Sequence, residues 1–182
     1  MAKIRLAMVG CGGNSGGHAH GLKANPDVQI VAGVDVNKEI VEKYIDRILG
    51  DVVPKPVAYD DLKTMLDKVK PDAVLISTPH TLHFKQGMMA LDAGCHVYME
   101  KPMVTSSEDA YTLAEKVKET GKVFVIGYNT PCSPNFYYLR DVIRNNKLGK
   151  LELVIGYITQ NWLKATKGAW RQVPELSGGG QA

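Results

Sequence analysis

The sequence predicts an α/β protein built on a doubly wound parallel sheet, followed by the start of an α+β C-terminal domain. Three observations carry this. Short β-branched runs recur at 4–9, 28–34, 57–59, 73–77, 96–99 and 123–127, and they are nearly continuous in apolar residues, as strands covered on both faces are. Helical patterns lie between them: Leu62, Met65, Leu66 and Val69 fall at i, i+3, i+4, i+7, and Ala110, Leu113, Ala114 and Val117 repeat that spacing, each set predicting one buried stripe. Strands that alternate with helices pair in parallel through right-handed crossovers, because a tight turn cannot reach a parallel neighbour.

Taken in order, the first run passes directly into "AMVGCGGNSGGHAH" at 7–20, a glycine-rich turn that opens a helix. The second ends in "VAGVDVN", with Asp35 at its tip and a helix starting near Asn37. Gly94 and Gly121 sit where helices end before the next strand, and Thr105-x-x-Glu108 has the form of a capping box. After Gly127 the texture changes. Ser133-Pro134 starts a helix whose apolar face, Leu139, Val142 and Ile143, ends at Gly149. The run at 151–162 is longer and alternates clearly, which predicts one half-exposed antiparallel strand. The domain boundary is therefore placed after residue 128. Residues 129–182, with one helix, one long strand and a loop ending "SGGGQA", cannot enclose a core alone.

Composition removes several classes of function. Lysines and arginines number 22 against 19 acids, a net +3, and they are scattered, which argues against a nucleic-acid face. Cys11, Cys95 and Cys132 lie far apart without a CxxC pair, so neither a zinc site nor a disulfide framework is expected and a reducing compartment fits better. Met1 runs almost straight into a strand, leaving no room for a signal peptide, and no apolar run reaches membrane-spanning length. A cytoplasmic, soluble protein without membrane partners is expected.

The glycine turn raises a choice between a dinucleotide, a metal and a bare loop. Gly10 follows the first strand, Gly12 is two residues on, and Ser15 occupies the place where a small residue must let helix meet strand. Gly16 takes that role if the turn is one residue longer. An anion would sit on the amides of the following helix, where unpaired donors and the helix dipole favour negative charge. Asp35 lies at the distance where a carboxylate accepts hydrogen bonds from ribose hydroxyls and repels a 2′-phosphate, so NAD is preferred to NADP. His18 and His20 are two apart, on different sides of a helix, which is poor geometry for a metal; no metal is expected. Methyltransferases that bind S-adenosylmethionine use a similar turn and acid, so these features alone leave two cofactors open.

Further segments follow later strands at the edge where open α/β sheets bind ligands: Ser77-Thr78-Pro79-His80-Thr81-Leu82-His83, Glu100-Lys101-Pro102 and Gly127-Tyr128-Asn129. Through "VGCGGNSGGHAH", "VAGVDVN", "STPHTLH", "DAGCHVYMEKPM" and "WRQVPELSGGG", the whole chain resembles the Gfo/Idh/MocA family of NAD(P)-dependent oxidoreductases, whose nucleotide domain is a Rossmann fold. The Glu-Lys-Pro stretch favours a dehydrogenase over a methyltransferase.

The resemblance implies NAD as cofactor, with Gly10, Gly12 and Ser15 at the pyrophosphate, Asp35 at the ribose, and Thr78 and Pro79 along the middle. Gly13, Asn14, Asn37, Ser77, His83, Glu100 and Lys101 complete the expected cofactor contacts. Lys101 is the expected catalytic residue, its ammonium beside a reacting hydroxyl and its bond to Pro102 cis, while Asn129, Trp170 and Arg171 face the substrate. The implied reaction moves hydride between NAD and a secondary alcohol of a sugar, cyclitol or related polyol, in a full-length parent that forms homo-oligomers. Two departures stand out. His80 replaces the family's asparagine, which suggests a changed contact on the adenosine or ribose side, and the chain ends at Ala182, before the family's Asp and His beyond the triple glycine. A non-catalytic dinucleotide module and NAD-dependent glycoside cleavage are therefore the alternatives.

Overall fold

The computed structural model describes residues 2–179. Six strands, β1 (Ile4–Val9), β2 (Val28–Val34), β3 (Val57–Tyr59), β4 (Ala73–Ile76), β5 (His96–Met99) and β6 (Phe124–Ile126), form one sheet in the order β3-β2-β1-β4-β5-β6. Every pairing is parallel. The expected strands of this half are all present, within a residue of their expected limits. Because the chain returns from β3 to the far side of β1, the crossovers on either side of the β1/β4 junction leave in opposite directions. Open α/β sheets bind ligands at such a reversal, outside the carboxyl ends of the strands.

Successive residues of β1 point to opposite faces, and the core divides accordingly. Leu6 and Met8 join Ile30, Val41, Ile45 and Ile48 beneath α1 (Gly13–Lys23) and α2 (Lys38–Ile48). Ala7 and Val9 join Met65, Leu66, Ile76, Leu91 and Leu113 beneath α3 (Leu62–Val69), α4 (His83–Asp92) and α5 (Ser107–Thr120). The α3 stripe is buried as expected through Leu62, Met65 and Leu66. In α5 only Leu113 is fully buried and Ala114 is exposed, because this helix lies over the edge of the sheet, chiefly against α4. Its cap also differs from expectation. Ser106, not Thr105, accepts the N–H of Asp109, so the helix starts one residue later.

Past residue 128, α6 (Pro134–Arg144) begins at the expected Ser133 cap, whose hydroxyl accepts the Phe136 N–H. The expected strand at 151–162 is absent: 151–161 have no regular structure, and Leu153, Val154, Ile155, Tyr157 and Ile158 are exposed. A strand satisfies its main chain only on a neighbour, and among the described residues no second strand lies beside this one. Trp162 opens the short α7 (Trp162–Thr166), and α8 (Pro174–Ser177) follows a 3-10 turn at Trp170–Gln172. Among the described residues, no helix is long and apolar enough to cross a membrane.

Candidate functional site

The site begins where β1 ends. Gly10 has φ +88°, and a Cβ there would lie 2.8 Å from the carbonyl oxygen of Ser77, so both backbone conformation and the close approach of the β4 crest require glycine. Its N–H donates to Val34 O at 2.8 Å. The next amide, Cys11 N–H, donates to Asp35 Oδ2 at 2.9 Å, which fixes the carboxylate at the β2 tip beside the turn. Gly12 is the N-cap of α1 and supplies no side-chain cap, no acid lies in the first turn, and nothing stands within 4 Å of a Cβ on Gly12 or Gly13. Uncapped amides at a helix start with open space before them, and with Asn14 exposed beside them, suit an anion.

Ser15 lies under this turn rather than in it. It is 1% exposed, its Oγ is 2.8 Å from Tyr44 Oη, and that phenol donates to Ser15 O at 3.1 Å. Burial pushes the Tyr44 phenol up to about 12, against the opposing hydrogen bond to Ser15. The small residue therefore serves helix packing and offers an anion only its main chain. Gly16, against Ile48, shares this packing role. Asn37 caps α2 by accepting the Glu39 N–H at 2.9 Å.

At the β4 crest, Ser77 Oγ donates to Gly10 O at 3.2 Å and Thr78 Oγ1 bonds Gln86, so the two crests are tied together. Pro79 leads into a 3-10 turn at His80–Leu82. His83 is 0% exposed, with its ring nitrogens 2.8 Å from Pro102 O and 3.0 Å from Thr78 O. It joins the two loops from beneath and presents no surface to a ligand, which differs from the cofactor contact expected of it. His80 likewise is engaged by the protein itself. It is buried, with Nδ1 3.1 Å from Ser177 O.

Glu100 and Lys101 follow β5, and the bond from Lys101 to Pro102 is cis. Glu100 is 8% exposed; its Oε1 is 2.6 Å from His18 Nε2, and its Oε2 accepts the Lys101 N–H at 3.2 Å. His18, on α1, also meets the Tyr98 ring edge-on at 5.3 Å. With the Glu100 carboxylate held this way, the exposed Lys101 ammonium makes no ion pair among the described residues. Lys101 lines a pocket of about 370 Å³ with His80, Pro102, Thr105, Tyr128 and residues 177–179.

Trp170 and Arg171 stand behind this pocket: Trp170 meets His80 edge-on at 4.7 Å, and Arg171 lies 4.4 Å over the Trp170 ring. Asn129 is exposed at the N-cap of the 3-10 turn Thr130–Cys132. The structure thus gathers the glycine turn, Asp35, Ser77 to Pro79 and Lys101 along one edge, while Ser15, His83 and Glu100 support it from within. Sequence reasoning missed the His18–Glu100 pair, the Thr105 and Tyr128 walls, and the contact of His80 with Ser177. Among the described residues, no three His, Cys, Asp or Glu side chains form a group that could hold a metal.

Comparison with known proteins agrees with this geometry. A family model described as an oxidoreductase family with an NAD-binding Rossmann fold matches residues 4–128. The chain is 27% identical over 180 residues to a glycosyl hydrolase family 109 protein of Akkermansia muciniphila, covering 94% of the chain and 38% of that protein. It is 29% identical over 153 residues to D-glucoside 3-dehydrogenase of Escherichia coli, covering 81% and 41%. The chain thus spans about two fifths of the length of these curated relatives. In fold it is similar to the WlbA dehydrogenase of Chromobacterium violaceum, solved with NADH and UDP-GlcNAcA: TM-score 0.83, 23% identity, 97% of this chain and 50% of that one.

Proposed function

The chain belongs to the Gfo/Idh/MocA oxidoreductase family with its NAD-binding Rossmann fold, and from that premise we infer that it carries the nucleotide-holding machinery for hydride exchange with a secondary alcohol of a sugar, cyclitol or related polyol. One observation supports this most: the uncapped amides of α1, the Asp35 carboxylate and the Lys101 ammonium, which has no ion pair among the described residues, stand along one sheet edge. On this reading residues 1–128 hold the nucleotide and 129–182 begin the substrate side. A small-molecule substrate and further copies of the full-length parent are its partners.

The amides of Gly12, Gly13, Asn14 and Ser15 are assigned to the pyrophosphate, because the helix start has no side-chain cap among the described residues. Asp35 uses the carboxylate oxygen not taken by Cys11 for the ribose hydroxyls. Its charge disfavours a 2′-phosphate, hence NAD over NADP. Bound nicotinamide supplies the hydride acceptor or donor. Lys101 then hydrogen-bonds the reacting hydroxyl and stabilises the charge that grows on its oxygen, and His18 and Glu100 hold the lysine main chain in place. Asn129 and Arg171 are assigned to the substrate side, with Trp170 as support.

The test is a fluorescence titration of NADH against the wild type and Asp35→Ala. Removal of a charge-assisted pair weakens binding by about tenfold or more; equal affinities sink the assigned ribose contact. The likeness to a glycosyl hydrolase family 109 protein favours a second reading, NAD-dependent glycoside cleavage at the same pocket. Sugar release from aryl glycosides in the presence of NAD separates the two.

A further inference from the structure

Residues 170–178 form a strap that reaches the sheet edge through a small set of contacts. Trp170 meets the His80 ring at 88° and 4.7 Å. The Nδ1–H of His80 donates to Ser177 O at 3.1 Å, and Thr81 Oγ1 lies 3.0 Å from Glu175 O and 3.2 Å from Leu176 O. Gly178, at φ +75°, sits so close to Thr105 that a Cβ would meet its Cγ2 at 2.4 Å. Behind this contact lies the pocket of Lys101, whose near wall is Pro102, Thr105 and Tyr128 and whose far wall is Ser177, Gly178 and Gly179. His80 stands at the seam between the walls.

We propose that His80 is a proton-operated latch, docking the 170–178 strap as the far wall of the Lys101 pocket when neutral and releasing it when charged. The buried ring bridges two segments that are otherwise joined by hydrogen bonds from the Thr81 hydroxyl to the Glu175 and Leu176 carbonyls, with Gly178 packed on Thr105 beside them. The groups facing it are basic or neutral. His83 stands 5.7 Å away on α4, Arg171 lies on the strap, Lys101 lies across the pocket, and the strap's acid, Glu175, takes part through its main-chain carbonyl. No carboxylate among them compensates an imidazolium.

Burial, first, and the nearby His83, Arg171 and Lys101 hold the His80 imidazole below its ordinary value, against the Ser177 carbonyl, which favours the charged ring. Above the ordinary histidine value both docked and released rings are neutral and docking has its full strength. As pH falls below that value, the released strap leaves a solvated ring that takes up a proton while the docked ring resists, so docking weakens by at most about tenfold per pH unit. It levels off below the docked ring's own value.

The chain itself serves for the test. Trp162→Phe leaves Trp170 as the sole tryptophan, since the sequence has two. Its emission maximum is followed from pH 7.5 to 5 alongside the far-ultraviolet dichroism of the fold. The latch requires a reversible red shift with a midpoint below about 6.5, at constant dichroism, and its loss in His80→Asn, which keeps a donor for Ser177 O but does not titrate. A shift that persists unchanged in His80→Asn, or no shift in the parent, overturns it. Should His80→Asn fail to fold, hydrogen exchange of 170–178 in the unaltered chain decides: protection corrected for intrinsic rates must fall from pH 7 to 5 while β1 and β4 keep theirs, and equal protection at both overturns the latch. None of these readouts needs NADH, so their failure leaves the proposed function standing, and failure to bind NADH leaves the latch standing.

Discussion

Residues 4–128 and 129–179 both contain apolar runs but differ in what they bury. Among the described residues, the first region holds every strand and nearly the whole core, and in the second only Val142, Thr166 and Ser177 are buried. The contrast separates structures that stand alone from those that need neighbours. A helix satisfies its own main chain, so α6 forms from its Ser133 cap with most of its apolar face exposed. A strand cannot, and 151–161 remain irregular despite their alternation.

The largest effects should come from breaking the first region's core. Leu113 is 0% exposed between α5 and the sheet, and Leu113→Ala should cost about 2–5 kcal/mol by urea unfolding. Leu153, 74% exposed, provides the contrast: Leu153→Ala should change stability by less than about 0.5 kcal/mol. A comparable loss at both positions would mean that the second region holds a core of its own.

Next in size are the glycines of the turn, where two neighbouring positions of the first region differ in what they tolerate. Gly10→Ala places a Cβ against Ser77 O at a positive φ, and the left-handed conformation alone costs about 1–2 kcal/mol. Its thermal midpoint should fall by roughly 4–10 °C. Gly12 has an extended backbone and open space around it. Gly12→Ala should therefore leave the midpoint within about 2 °C while weakening NADH binding, because the added methyl stands where the anion is expected. If both variants lose equal stability, the turn is a packing element and its open face carries no binding role.

The parallel sheet was legible in the sequence because strands buried on both faces show as continuous apolar runs, whatever their neighbours. Asp35 and the glycine turn were legible because both lie within one β-α-β unit. Contacts that depend on the strand order were not. His18 reaches Glu100, 82 residues on, only because β4 and β5 lie beyond β1 in the sheet. His80 reaches Ser177 across 97 residues because the strap after the last strand folds back onto the β4 crest. The α5 cap was ambiguous locally: Thr105-x-x-Glu108 and Ser106-x-x-Asp109 overlap, and which one closes depends on where Thr105 is needed, here against Gly178.

The smallest effect leaves stability untouched and reads the two regions through their thiols. Cys11 is 4% exposed, and burial, reinforced by Asp35, pushes its thiol up to about 12. At pH 8 only roughly one part in ten thousand is thiolate, and the thiolate is the reacting form. Cys95 is 0% exposed with its Sγ on Pro71 O at 3.2 Å, and burial raises its thiol too. Cys132 is exposed at the start of the second region. Alkylation of the native chain at pH 8, read by intact mass, should therefore stop at one adduct, mapped to Cys132, with all three labelled in urea. Because the Cys11 N–H is held by Asp35, Asp35→Ala should add slow labelling at Cys11 to that at Cys132 and leave Cys95 unmodified. Early modification of Cys95 in the wild type would show that the first region opens as readily as the second.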